Sequence, residues 1–245
     1  MVWRRRRLEG ETKHPMSILT PLEQDALRLS LWVSGWAVAG SLLPGIAAAW
    51  VLARGRFPGK SLLDGLVHLP LVLPPVAVGY ALLVLFGRKG PVGAWLHDAL
   101  GVTLIFNWKG AAVASAVMSF PLLVRAIRLS LEGVDRRIEA AAATLGAGPV
   151  RVFFTVTMPL TLPGMLAGII LAFARSLSEF GATITFVSNI PGQTRTLPIA
   201  LYTLTQMPGG DAAALRICLI SVGLAFLTLL ASEVAAKQLQ SRLRG

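Results

Sequence analysis

Arg175 and Glu179 are the pair of side chains best placed to act on an ion, because they lie four residues apart in an otherwise apolar stretch. Ionisable groups in such surroundings either neutralise each other as an i, i+4 ion pair or line a polar cavity. The first alternative makes the pair structural, whereas the second places Arg175 beside the path of a charged ligand. The residues alone leave both alternatives open.

A run of prolines is the second feature with chemical meaning. Pro70, Pro74 and Pro75 interrupt an apolar stretch that is long enough to cross a bilayer. Each proline removes a backbone hydrogen bond, which neighbouring helices or a water-filled cavity can replace but hydrocarbon cannot. We therefore predict that Pro74 and Pro75 mark either a static kink or a break that lines a path through the protein.

The sequence offers little for bond chemistry. Its three histidines share no metal-ligand spacing, and its single cysteine lies in an apolar stretch, so no zinc site or disulfide framework is predicted. The segment GRFPGKS resembles a phosphate-binding loop, but the first glycine of that motif would have to stand where the chain has Arg54. We predict no catalytic, cofactor-binding or metal site, and we interpret GRFPGKS as a tight basic turn.

The elements that position these residues are apolar helices of membrane length. The chain is 54% hydrophobic and 14% charged, whereas an average soluble domain carries about 25% charged residues. Apolar stretches long enough to span a bilayer cover residues 29–52, 62–86, 110–127, 159–177 and 215–236. We predict an all-α polytopic membrane protein with five spans in one domain, residues 16–245, and a sixth span if 93–107 or 180–190 also crosses.

The net charge of +11 would suit a nucleic-acid-binding protein. The cations, however, lie mostly in short segments between apolar runs, as they do in the cytoplasmic loops of membrane proteins. This bias predicts that residues 54–60, residues 131–154 and the carboxyl terminus are cytoplasmic. We predict contact with membrane lipid and no nucleic-acid partner.

The polar segment 134–163 lies between two apolar stretches and organises the rest of the chain. Asp135 can cap a helix that starts at Arg136, and Gly146 can end that helix, with Pro149 just beyond. The pattern predicts a short helix outside the bilayer with an alanine-rich face. Such a helix either docks on a partner protein or belongs to an ordinary solvated loop.

The same segment resembles the EAA loop of bacterial ABC-importer permeases, whose pattern is Glu-Ala-Ala, three residues, Gly, nine residues, then Ile-x-Leu-Pro. Counted from the glycine, the pattern falls on Ala140, Ala141, Ala142, Gly146, Val156, Met158 and Pro159. Ala140 replaces the family's glutamate, and Glu139 lies one residue early. In the family this loop forms a coupling helix that docks in a groove of a cytosolic ATPase. The resemblance implies an ATPase-coupling role for Glu139, Ala140, Ala141, Ala142, Gly146 and Pro159.

Residues 173–204 are similar to the sulfate/molybdate branch of these permeases, and most of all to molybdate permeases; the resemblance extends back to about Met16. It implies a type I, MetI-like fold in the cell inner membrane and a homodimeric channel. It also implies two copies of an ATP-binding subunit that hydrolyses ATP, and a periplasmic oxyanion-binding protein. Sulfate and tungstate are alternative substrates. An ATP-independent secondary transporter and a membrane-embedded enzyme are alternatives of another class.

Residues 1–15 match nothing in this resemblance. With five spans and an internal carboxyl terminus, the amino terminus lies outside. Four consecutive arginines, residues 4–7, would then have to cross the membrane against the positive-inside bias. We expect translation to start at Met16 and residues 1–15 to be a non-native or disordered extension. A cytoplasmic basic arm with an even number of spans is the alternative.

Overall fold

The structure, a computed structural model, describes residues 19–244, so the expectations for residues 1–15 and for a start at Met16 lie outside the described residues. Within the described part the regular structure is helical, with no strand. The helices are α1 (Pro21–Arg54), α2 (Lys60–Val72), α3 (Pro75–Phe86), α4 (Pro91–Leu100), α5 (Trp108–Glu132), α6 (Arg136–Thr144), α7 (Pro149–Val152), α8 (Met158–Leu177), α9 (Gly181–Val187), α10 (Leu197–Thr205) and α11 (Asp211–Arg244).

Four stretches of helix are long and apolar enough to cross a membrane: Pro21–Arg54, Trp108–Glu132, Pro149–Leu177 and Asp211–Ala231. Helices α2 and α3 qualify as a fifth span if they are taken together, although they are bent by 114° at the break between them. This count agrees with the predicted five spans. Helices α4 and α9 have 10 and 7 residues. Neither reaches the length of about 20 residues that a span needs, so the structure supports no sixth span there.

The helix that contains the fourth span begins ten residues before residue 159, the predicted start of that span. The helix already begins at Pro149 and reaches Leu177 through α7, one turn of π-helix at residues 153–157, and α8. Proline is favoured in the first turn of a helix, because the N–H that it lacks would have no partner there. Pro149 therefore starts the helix that follows Gly146 and does not merely end the one before it.

Helix α5 lies at the centre of the bundle and packs against α1, α8 and α9. The small-residue stretch near its start is buried as close packing requires, with Ala111, Ala114 and Ser115 almost fully covered. Glycines on neighbouring helices extend this close approach. A Cβ atom added at Gly164 of α8 would clash with the Cβ of Ser130, so these two helices meet where no larger residue fits.

A charged contact joins the first helix to the last. The hydroxyl of Thr20 and the carboxylate of Glu23 form a capping box at the start of α1. Glu23 is buried, and its Oε1 also accepts a 2.8 Å hydrogen bond from Nε of Arg216 on α11. The contact holds the amino-terminal end of α1 against α11.

Candidate functional site

Helix α6 has the ends that the sequence predicts. The Asp135 carboxylate accepts a 2.9 Å hydrogen bond from the N–H of Arg137, as an amino-terminal cap does. At the other end Gly146 adopts a φ of +86°, which favours glycine. The N–H groups of Gly146 and Ala147 bond the carbonyls of Ala143 and Ala142 at 3.0 and 3.2 Å, completing a Schellman motif. The helix therefore starts and ends through local contacts.

The outward surface of α6 includes small and apolar side chains beside its two arginines. None of its residues is buried. Ala140 and Ala141 are exposed and Ala142 is half-buried, so the alanine face is open to an approaching protein. Ile138 is 48% exposed and Leu145, just after the helix, is 89% exposed. Large exposed apolar side chains beside a flat alanine face are typical of a protein-binding surface.

Glu139 points back into its own chain. Its Oε1 accepts a 2.8 Å hydrogen bond from Nη2 of Arg54 at the end of α1 and a 2.7 Å hydrogen bond from Oγ1 of Thr157. The Arg54 and Glu139 side chains are only 14% and 22% exposed. Glu139 is the only charged residue among those implied for ATPase coupling, and its carboxylate is already bonded within this chain.

Pro159 lies at the second residue of α8, directly after the π-helical turn. In this turn the N–H of Met158 bonds the carbonyl of Phe153, five residues back. Proline has no N–H to continue the ladder of hydrogen bonds, so a change of register just before it costs little. The closing proline of the pattern therefore stands at the junction between the polar segment and the fourth span.

The predicted break at Pro74 and Pro75 is present. Helix α2 ends at Val72, Pro74 is the amino-terminal cap of α3, and Pro75 is its first residue. Helix α3 then runs at 114° to α2 and packs on α9. A Cβ atom added at Gly181 would lie 2.8 Å from the Cβ of Pro75, so the first turn of α3 touches the start of α9.

Arg175 and Glu179 form the i, i+4 ion pair that was one of the two alternatives, with 2.9 Å between Nη1 and Oε2. The other oxygen of Glu179 accepts a 2.9 Å hydrogen bond from the N–H of Ala182, in the first turn of α9. The Glu179 side chain is 1% exposed, whereas that of Arg175 is 26% exposed. The ion pair and this hydrogen bond therefore link α8 to α9. Glu179 lies two residues before Gly181, and Gly181 contacts Pro75. The structure brings both pairs of candidate path residues to one region.

Sequence reasoning missed an ionic cluster between α2 and α5. Arg128 donates from Nη1 to Asp64 at 2.9 Å and from Nε to Glu132 at 2.8 Å. Nδ1 of His68 lies 3.2 Å from the same Asp64 oxygen. The spacing of Arg128 and Glu132 signals their i, i+4 contact, but no local pattern joins either residue to α2. Arg54 and Thr157 were missed for the same reason.

No group of three or more potential metal ligands occurs in the part of the chain that the structure describes. The arrangement instead consists of a broken span, a short helix outside the bundle and partly buried ion pairs between helices. These features are suited to movement and to mechanical contact with a partner.

The chain belongs to a family of ABC-importer transport subunits. The family model described as "Binding-protein-dependent transport system inner membrane component" matches residues 41–243, which is most of the chain. The chain is a multi-pass membrane transport subunit and not an enzyme, because ATP hydrolysis in such importers is carried by a separate subunit.

Within this family the chain is similar to curated proteins over almost its whole length. The molybdenum transport system permease protein ModB of Escherichia coli (strain K12) is 63% identical over 220 residues, which are 90% of this chain and 96% of that protein. The protein of the same name from Haemophilus influenzae is 54% identical over 222 residues, 91% of this chain and 97% of that protein.

A solved structure supports the fold independently of close sequence similarity. A chain of a bacterial ABC transporter involved in the import of the acidic polysaccharide alginate superposes with a TM-score of 0.72 at 14% identity. The match covers 92% of this chain and 85% of that chain. At this identity the likeness concerns the fold alone, and it agrees with the predicted permease fold.

Proposed function

We propose that this chain is the membrane-spanning permease subunit of an ATP-driven importer for molybdate. The observation that carries the proposal is the 63% identity to a permease named for molybdenum transport. The match covers 90% of this chain and 96% of that protein. It therefore extends over most of the helices described above and is not confined to the polar segment.

The proposed assembly has two copies of this chain, two copies of a cytosolic ATP-binding subunit and a periplasmic oxyanion-binding protein in the cell inner membrane. The exposed surface of α6 supports the contact with the ATPase, because Ile138 and Leu145 offer apolar side chains that a groove can enclose. In this proposal Ala140, Ala141 and Ala142 let the ATPase approach the helix closely, and Gly146 fixes where the helix ends.

In the proposed mechanism, closure of the ATPase dimer on ATP draws the two α6 helices together. Packed helices move as rigid bodies, so this motion exchanges an inward-facing cavity for an outward-facing one. The binding protein selects the anion, and this chain supplies the path. A tight anion site in the path is not needed, since a strongly favourable site would trap the ion.

We further propose that the α2–α3 break lines the path. Irregular backbone at membrane depth is tolerated where it is buried in protein or faces water. The first turn of α3 is supported by Gly181 on one side, while Pro74 and Val76 remain exposed in the single chain. Because the break packs on α9 on one side and is exposed on the other, it is suited to line a cavity between two copies of the chain.

Reconstitution tests the proposal. The permease and the ATPase are purified from the native host and placed in liposomes that enclose ATP, and the purified binding protein is added outside. Molybdate uptake is then measured with and without ATP, and the uptake of sulfate and of tungstate is measured under the same conditions. We expect uptake only with ATP and with the molybdate-loaded binding protein. Uptake that persists without ATP would identify a secondary transporter, and faster sulfate uptake would overturn the substrate.

A further inference from the structure

We propose that Arg54, Glu139 and Thr157 form a positioning clamp, which fixes α6 to the cytoplasmic ends of α1 and of the Pro149–Leu177 helix and carries the motion of α6 into these two spans. The proposal rests on the proposed function, in which α6 is the helix that contacts the ATPase. It assigns to Glu139 a role inside the chain and not one at the partner surface.

The geometry of the clamp is that of a shared acceptor. One oxygen of Glu139, Oε1, accepts both the guanidinium N–H of Arg54 at 2.8 Å and the hydroxyl of Thr157 at 2.7 Å. Thr157 is 3% exposed, and the two charged side chains are mostly covered. Hydrogen bonds to an ionised group are shorter and stronger than neutral ones, and partial burial reduces their screening by salt.

The clamp joins segments that are far apart in the chain. Arg54 and Glu139 are separated by 85 positions, and Glu139 and Thr157 by 18. Among the described residues, no other side-chain hydrogen bond joins α6 to the membrane-spanning helices. No residue of α6 is fully buried, so its packing against the π-helical turn and α7 is shallow and adds little to these bonds. Without the clamp, α6 would be held mainly by its two chain ends.

A groove beside the clamp also indicates that polar contacts hold α6 to the membrane-spanning helices. It has a volume of about 740 Å³, and its walls include Trp50 of α1, Ala143 of α6 and Phe154 of the π-helical turn. Arg54, Glu139 and Thr157 also line it. The three elements therefore stand apart along the groove and meet at the clamp, so a force on α6 passes to α1 and to the fourth span through these polar contacts.

The π-helical turn explains how Thr157 reaches Glu139. A π-turn holds one residue more than an α-turn, which rotates the following side chains about the helix axis. Within this turn Thr157 is buried against Glu139, whereas Thr155 is exposed and its hydroxyl bonds the Arg151 carbonyl in its own helix. The two threonines are thus a matched pair, one inside the clamp and one outside it.

Charge exchange tests the clamp. Arg54→Glu and Glu139→Arg are made singly and together, and Arg56→Glu is the control, because Arg56 is exposed two residues away. In the reconstituted complex we expect each single change in the clamp to lower the ratio of molybdate uptake to ATP hydrolysed by about tenfold. We expect the double exchange to restore at least half of the ratio, and Arg56→Glu to leave it near that of the unchanged chain.

A second pair of variants avoids any loss of folding. Thr157→Val and Thr155→Val keep the side-chain shape and remove one hydroxyl each. With spin labels on Ala47 of α1 and Thr144 of α6, we expect Thr157→Val to broaden the distance distribution and lower the coupling ratio about threefold. Thr155→Val should change neither.

The outcomes separate the clamp from the transport function. An unchanged chain that fails to import molybdate would refute the proposed function. If that chain imports molybdate, three results would each overturn the clamp: a double exchange no better than the single changes, Arg56→Glu as harmful as Arg54→Glu, or Thr157→Val indistinguishable from Thr155→Val.

Discussion

Replacing Gly146 with alanine should weaken the link between α6 and transport without any steric clash. Gly146 has a φ of +86°, and a Cβ atom added there would meet nothing within 4 Å. The cost is therefore conformational: an L-residue in the left-handed region loses about 1 to 2 kcal/mol relative to glycine. That cost is borne by a helix of nine residues with no buried residue.

The size of the effect follows from the marginal stability of so short a helix, which is not stable alone in water. A cost of about 1 to 2 kcal/mol lowers the population of the intact carboxyl-terminal turn by about 5-fold to 30-fold. We expect Gly146→Ala to reduce ATPase activity stimulated by the molybdate-loaded binding protein, while insertion into the membrane stays normal. Gly146→Asn should be milder, since asparagine tolerates this backbone better. Gly146→Asp should be more harmful, because it adds a negative charge at the proposed docking surface.

Gly148→Ala is the matched control. Gly148 lies two residues away, has a φ of −65° and also has nothing within 4 Å of an added Cβ. The same chemical change there should leave stimulated ATPase activity unaltered. If Gly146→Ala and Gly148→Ala gave equal activity, the left-handed turn would not matter for coupling and the reasoning would be wrong.

Three further predictions concern the spans. Glu179→Ala should destabilise the protein by about 3 kcal/mol, because it leaves Arg175 without its buried partner. Arg175→Ala should reduce molybdate uptake, and recovery of uptake in the double alanine variant would indicate a structural ion pair, whereas no recovery would favour a role for Arg175 in the path. In a cysteine-free background, a cysteine at position 193 should react with an impermeant reagent from outside, and one at position 147 only after the membrane is opened; the reverse would contradict the topology. Gly164→Leu should prevent close packing of α8 on α5 and lower the yield of folded protein, whereas Gly223→Leu, where an added Cβ meets nothing within 4 Å, should not.

The features that could be predicted from the sequence are those with local causes. Asp135 and Gly146 specify the ends of α6 through contacts within a few residues, and the structure confirms both. Pro74 and Pro75 remove backbone hydrogen bonds at their own positions, so the interruption between α2 and α3 could also be predicted. The same holds for the i, i+4 spacing that pairs Arg175 with Glu179.

The remaining features depend on contacts between distant segments or on residues, such as Pro149, that can either follow a helix end or start a helix. Nothing near Arg54 indicates that it bonds a glutamate 85 positions later. Pro149 follows a helix end and also starts a helix, and the prediction used only the first meaning. The turn at 153–157 is continuous with helix on both sides, so its extra residue leaves no mark in the pattern of apolar positions.

The contact between Glu23 and Arg216 has a consequence for how the protein is made. The two residues are 193 positions apart, so the carboxylate in the first helix has no Arg216 until almost the whole chain has been translated. At a synthesis rate of about 5 to 20 residues per second, the delay is about 10 to 40 seconds. The first span must therefore enter the bilayer while the Glu23 carboxylate has only its local partner Thr20 and still lacks its cationic partner.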